Sequence, residues 1–250
     1  MTEQIDTIPV NEAFDAGDEC PFCYLQRKAE QSTIRYVAGP GASYMEPDVR
    51  GATDAHGFCD THSKKLFDYG NSLGLALMLQ TYYAGLLEEF SREKIAMTAP
   101  EKKGLFAKKK PAETDTYPQR LRRKVDDCFI CSRMKYHMNR YYTTFFYLLK
   151  EDEFRAKVTA SKGFCFKHFS EIMELAPDKV PSKQKDWFYS TIPEVMHQQL
   201  VRVKEDLDWF IAKFDYRNAA APWYESKDAV SRSIQKLQSI YPADPPYKKD

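Results

Sequence analysis

The chain has 250 residues, of which 43% are hydrophobic and 14% aromatic, with a net charge of +1. That is enough apolar material for a packed core in one domain or two small ones, and the near-zero charge gives no global pull toward nucleic acid or an acidic surface. The longest apolar region, residues 73–87, contains Gln80 and Thr81 and falls short of the ~20 residues of a membrane span.

In chain order, residues 1–18 read as a loose arm. Their start, MTEQIDTIPV, lacks the basic and apolar regions of a signal peptide, so a cytoplasmic location is expected. Asp18 and Glu19 precede Cys20, as Asp126 and Asp127 precede Cys128, and an acidic residue there can cap a helix. From Tyr24 to about Val37 the composition is helical. Residues 38–57, rich in glycine and proline, read as a loop. FCDTHSKKLFDYG starts a short helix, and a long helix follows over about 71–96. Its first half is apolar nearly all round, which predicts burial.

Residues 98–116 carry two prolines and two lysine clusters and read as a basic linker. With RLRRK (120–124) this run is locally basic, but no nucleic-acid motif accompanies it, and it reads as a solvated linker and helix start. A second helical stretch, 131–150, carries Tyr136, Tyr141, Tyr142, Phe145, Phe146 and Tyr147 at core-like helical spacing. Residues 151–161 read as a short helix. A long helix follows GFCFKHFSEIMELA and is expected to be disturbed near Pro193. Asp215, Tyr216, Arg217, Asn218, Pro222 and Trp223 read as a helix stop with a docked aromatic. In the tail Val230, Ile234 and Leu237 fall at i, i+4, i+7, one short amphipathic helix, and the last ten residues are expected to be extended and mobile. With few β-branched runs, the fold class is mainly α.

Motifs repeat within this frame. The six cysteines fall as Cys20-x2-Cys23 then Cys59, and as Cys128-x2-Cys131 then Cys165. His62 and His168 stand three residues after the third cysteine of each set. GFCDTH (57–62) and GFCFKH (163–168) share four of six letters. Cys23 to Cys59 spans 36 residues and Cys131 to Cys165 spans 34. The chain thus reads as one unit written twice. The expected organisation is a first metal-binding helical unit over 1–97, the linker at 98–116, a second unit over 117–218 and a tail over 219–250.

Residues i and i+3 of a helix share a face, so Cys-x2-Cys and Cys-x2-His each aim two ligand atoms at one point. Two such pairs make a Cys3His set, a standard zinc shell. Soft thiolates also suit iron–sulfur clusters. The candidate metal ligands are Cys20, Cys23, Cys59, His62, Cys128, Cys131, Cys165 and His168. Chain order suggests that the first four form one centre and the last four the other. Disulfides are rare in the expected compartment, and a thioredoxin-like pair would need a βαβ pattern that is missing here. His56 is a rival ligand near Cys59, but Lys162 stands at its counterpart position, and His137 and His197 are isolated.

Tyr24 and Ser132, not glycine, follow the Cys-x2-Cys pairs, unlike a tight zinc knuckle. The flanking Phe22, Phe58, Phe129, Ile130, Phe164 and Phe166 could form the dry sheath that tunes a cluster. These features favour two [4Fe–4S] clusters in electron transfer or an accessory redox role, with two zinc ions in a helical protein-binding adaptor as the alternative. A protein partner, redox or scaffold, is expected in either case, with no membrane or nucleic acid. No Ser-His-Asp pattern, phosphate loop or convincing carboxylate pair points to catalysis, so no catalytic residue is assigned.

ECPFC (19–23), GFCDTH, CFIC (128–131), GFCFKH and KFDYRNAAAPWYESKDA (213–229) together resemble a bacterial family known only as a domain of unknown function, frequent in anaerobic Firmicutes. The resemblance spans most of the chain and brings no activity with it. It implies an anaerobic setting, which favours iron–sulfur chemistry. Phe129 stands where the first repeat has Pro21.

Overall fold

The computed structural model describes residues 6–41, 43–93 and 116–242. Most of the expected linker, 98–115, and residues 243–250 lie outside them. Among the described residues there are eleven α-helices and no strand. They are α1 (Thr7–Asp15), α2 (Pro21–Ala38), α3 (Pro47–His56), α4 (Asp60–Tyr69), α5 (Ser72–Glu93), α6 (Tyr117–Asp126), α7 (Phe129–Leu148), α8 (Asp152–Ala160), α9 (Phe166–Lys179), α10 (Lys185–Ala212) and α11 (Ala229–Gln238). The mainly-α expectation holds. No described helix is long and apolar enough to cross a membrane.

The described residues divide into two compact units. Residues 6–29 and 135–242 form the first; residues 30–41, 43–93 and 116–134 form the second. The division falls inside α2 and α7.

The first unit is built on aromatic packing. Phe145 of α7 lies within 6.2 Å, centroid to centroid, of Phe14, Phe22, Phe154 and Phe164. Each such pair adds about 0.5–1.5 kcal/mol beyond the area it buries. The aromatic face of α7 is therefore core, as its spacing suggests. Residues 1–18 were expected to be a loose arm, yet 7–15 form α1, because Val10, Ala13 and Phe14 give it a face to bury. The helix α10 runs unbroken through Pro193, its buried Phe188, Ile192, Val195 and Met196 spanning the proline.

α10 ends as expected, in a stop with a docked aromatic. Lys213 Nζ donates to the carbonyls of Asn218, Ala219 and Ala221 at 2.7, 2.9 and 2.6 Å. Trp209 Nε1 donates to Pro222 O at 3.0 Å, and the Trp223 ring lies 5.8 Å from Phe210.

The helix α11 is docked by its polar side. Lys236 is buried and donates through Nζ to the carbonyls of Glu19, at 2.6 Å, and Lys162. Arg232 reaches Asp206 and Asp228 at 2.8 Å each, and Gln235 donates to Asp18 at 2.6 Å. The stripe Val230, Ile234 and Leu237 is exposed instead. An amphipathic pattern identifies a helix, but here the polar partners on the unit decide which face goes in.

In the second unit, Ile34, Val37, Leu66, Met78, Phe129 and Ile130 are core. Two expectations change. The stretch 38–57 is only partly loop: a 3-10 turn at Ser43–Met45 leads into α3, which begins with proline at its first position, where the missing N–H costs nothing. The helix α5 is mostly exposed; Gly74 and Met78 are its buried residues. One side of it rests on α3, pinned by Thr81 Oγ1 donating to Asp54 at 2.6 Å and Arg50 donating to Thr81 at 3.1 Å. Its C-terminal half also meets α6, where Lys124 pairs with Glu89 at 3.3 Å and Arg120 with Glu93 at 2.5 Å, while Leu73, Tyr83, Leu87 and Phe90 are exposed.

Candidate metal centres

All eight predicted ligands fall at one kind of place, the first turn of a helix. Cys20, Cys59, Cys128 and Cys165 each precede a helix, and their carbonyls accept the first helical bonds, from Tyr24, Ser63, Ser132 and Phe169 at 2.8–3.1 Å. The second ligand of each pair, Cys23, His62, Cys131 or His168, sits three residues on. The cysteine thus stands at the N-cap and its partner is the third helical residue. At α9 the cap bond itself is made: the His168 N–H donates to Cys165 Sγ at 3.5 Å. The amides of four helix starts and their dipoles favour negative charge on these sulfurs.

Each GFC glycine makes the turn into its helix. Gly57 has φ 62 and ψ −152, and Gly163 has φ 71. A side chain is strained in that region, which explains why the glycine recurs with the ligands.

The ligand atoms form two groups. In the first unit Cys20, Cys23, Cys165 and His168 converge, and in the second Cys59, His62, Cys128 and Cys131, every ligand atom within 4.8 Å of the others in its group. The pairing expected from chain order is thereby corrected. Each Cys-x2-Cys joins the Cys-x2-His of the other repeat. All four half-sites have the same local geometry, so spacing along the chain does not choose among them; helix packing does.

In the first group, His168 Nδ1 lies 3.4, 3.5 and 3.1 Å from the sulfurs of Cys20, Cys23 and Cys165, and the last two sulfurs are 3.6 Å apart. In the second, His62 Nδ1 lies 3.2, 3.3 and 3.3 Å from Cys59, Cys128 and Cys131, and Cys59 and Cys131 are 3.9 Å apart. A tetrahedral ion with 2.3 Å bonds to sulfur and about 2.05 Å to nitrogen requires edges of about 3.8 Å for S···S and about 3.5 Å for S···N. The S···S separations of 3.6 and 3.9 Å lie on either side of the first edge, and the S···N separations of 3.1–3.5 Å come up to the second.

The other imidazole nitrogens are held. His62 Nε2 lies 2.9 Å from Glu30 Oε1, which also receives Lys65 Nζ at 2.6 Å. His168 Nε2 lies 3.1 Å from Gln26 Oε1, which also receives Lys167 Nζ at 3.1 Å. Such partners fix the ring with Nδ1 toward a metal. Ser239 completes the first centre: its Oγ is 3.0 Å from Cys165 Sγ and its carbonyl 3.8 Å from Cys23 Sγ. Neither Gln26, Glu30 nor Ser239 was found from the sequence. Gln26 and Glu30 had a signal, since they follow Cys23 by three and seven residues on one helix face; Ser239 had none.

Burial pulls the His62 imidazolium down, but hydrogen bonds with Cys128 and Glu30 outweigh it and push it up to about 10. At His168 burial also pulls down, and the neighbouring Cys20 and Cys165 push the ring up to about 9. Burial and hydrogen bonds from His62 and Lys65 oppose one another at Glu30, and the bonds win, holding its carboxyl below the usual range. The histidines outside both groups stay outside: His56 pairs with Asp127 at 3.0 Å, and neither His137 nor His197 joins a quartet.

Helices without a strand among the described residues, and two Cys3His groups that could each hold a metal ion, define the class. The family model described as "Family of unknown function (DUF6062)" matches residues 1–244, and the chain belongs to that family. No curated protein and no solved structure matches it.

Proposed function

We propose that the protein is a zinc-stabilised helical adaptor, in which each quartet holds one structural zinc ion and the helices so fixed present a surface to another protein. The observation that carries the reading is the size of the quartets. Each thiolate of a four-iron cluster binds a different iron, so its sulfurs must spread wider than the shell of a single ion; the 3.6 and 3.9 Å sulfur separations suit one ion. Cys3His is a common zinc shell, and four protein ligands close the site to substrate, which favours structure over Lewis-acid catalysis.

The adaptor role is supported by apolar side chains that the fold leaves outside. Leu73, Tyr83, Leu87 and Phe90 on α5 and Val230 and Leu237 on α11 are exposed. Apolar surface gathered on a helix face marks a protein-binding region.

The reading favoured from the sequence, [4Fe–4S] clusters in electron transfer, draws support from ligand softness. Metal and acid-labile sulfide analysis of protein purified without oxygen tests between them. Two zinc ions per chain, no sulfide and no visible absorption are expected. About eight irons with matching sulfide, as two four-iron clusters require, would overturn the reading.

A further inference from the structure

The two quartets differ in access. In the first, Cys20 and Cys165 are 0% and Cys23 2% exposed, and Ser239 lies against two of the sulfurs. In the second, Cys128 is buried, Cys59 is half-buried and Cys131 is exposed. The exposed and half-buried sulfurs are the pair standing 3.9 Å apart.

We propose that Cys131 and Cys59 are a modification site for peroxide, at which a disulfide forms and the second quartet releases its ion while the first keeps its own. The inference rests on the zinc reading above. Site-selective thiol oxidation follows thiolate character and access. Metal coordination keeps both sulfurs deprotonated, so access is what separates the quartets.

The chemistry balances with hydrogen peroxide as the oxidant. The Cys131 thiolate attacks one peroxide oxygen; the O–O bond breaks, and hydroxide leaves and is protonated to water. Cys131 is then a sulfenic acid. The Cys59 thiolate attacks that sulfur, the S–O bond breaks, and a second hydroxide leaves and is protonated. The two thiolates lose two electrons in all, and the peroxide gains them. The sulfurs must close from 3.9 Å to about 2.05 Å, a shift of roughly 2 Å within one site. His62 and Cys128 alone make half a shell, and the ion dissociates.

The test uses the full chain with its metal content measured first. Hydrogen peroxide is added, zinc release is followed with a chromogenic chelator, and the cysteines are mapped by mass spectrometry without reduction. One zinc per chain is expected to leave, at least roughly tenfold faster than the other, with a Cys59–Cys131 disulfide and with Cys20, Cys23 and Cys165 still reduced. Thiol reductant and added zinc should restore the second ion. Loss of both ions at one rate, release with Cys20–Cys23 oxidised first, or a two-zinc protein that keeps both ions while its cysteines stay reduced would each overturn the inference and leave the zinc reading standing. A starting protein without zinc would overturn both.

Discussion

His62 Nε2 stands 2.9 Å from the Glu30 carboxylate while its Nδ1 faces three sulfurs. The ring at His168 has the same posture, but its outer partner is the neutral Gln26. One fold thus contains a carboxylate-backed and an amide-backed version of the same centre. Glu30→Ala is expected to weaken zinc at the second quartet about 10–100-fold, the usual cost of removing such a partner, and to leave the first unchanged. Glu30→Gln should recover part of the loss, since it copies what Gln26 does. Chelator competition on each variant reads both; equal affinity in Glu30→Ala and the parent chain would contradict the assigned role.

The pH dependence of the second centre has a definite sign. In the metal-free protein His62 is raised from 6.5 to about 10, so its contribution to stability is complete below 6.5 and is lost as pH rises through about 10. Burial pushes the Cys128 thiol up, but its bond with His62 and nearby backbone amides bring it down from 9.0 to about 6. Its contribution is complete above 9.0 and is lost as pH falls through about 6. The imidazolium–thiolate pair therefore stabilises the metal-free second unit between about 6 and about 10.

On the zinc reading, the ion would reverse the protonation of that site. It needs His62 neutral and Cys131 as thiolate, yet burial and the neighbouring Cys128 and Cys59 push the Cys131 thiol up to about 12. Binding near neutrality should displace at least two protons, and affinity should fall roughly a hundredfold for each unit of acidification. Calorimetry in buffers of different ionisation enthalpy measures the protons directly. A count of zero would contradict the account.

The two GFC glycines should differ in tolerance. A Cβ at Gly57 would come within 2.9 Å of the Tyr82 ring, whereas at Gly163 the nearest atom, Gln199 Cγ, is 3.5 Å away. Both positions carry positive φ, so each alanine pays about 1–3 kcal/mol of backbone strain. Gly57→Ala pays for overlap as well, and should be the more destabilised in chemical denaturation and the poorer in metal. The opposite order would count against the geometry of the turn.

Metal removal should cost stability throughout the first unit, because Cys20, Cys23 and Cys165 belong to its core. Free zinc at a thousand times its dissociation constant stabilises by about 4 kcal/mol. For a chain of this size that corresponds to a drop of roughly 8–16 °C in Tm on chelation, at 2–4 °C per kcal/mol. A melting curve that a strong chelator leaves unmoved would contradict a structural role.

The ligands and the helical class were legible because both rest on local pattern. Cys-x2-Cys and Cys-x2-His mark a helix start whatever surrounds it, and the periodicity of α7 or α10 needs no partner to be read. Placement was less legible. Near-equal spacings of 36 and 34 residues suggested tandem centres, but two Cys-x2-Cys and two Cys-x2-His half-sites can be joined into Cys3His sets in two ways, and the choice lies in which helices pack together. The same lack hid the exposure of α5, whose apolar composition suits burial, and the inverted docking of α11, where Lys236 and Arg232 find acceptors that sequence does not place beside them.

The crossed pairing is tested most directly by zinc content in combined half-site variants. Cys20→Ser with Cys23→Ser should lose one ion, and so should Cys165→Ser with His168→Ala. Combining these four changes should still lose only one, since they empty the same centre. Combining Cys20→Ser and Cys23→Ser with Cys59→Ser and His62→Ala should lose both. The reverse result, two ions lost in the first combination and one in the second, would mean that the quartets follow chain order and that the pairing described here is wrong.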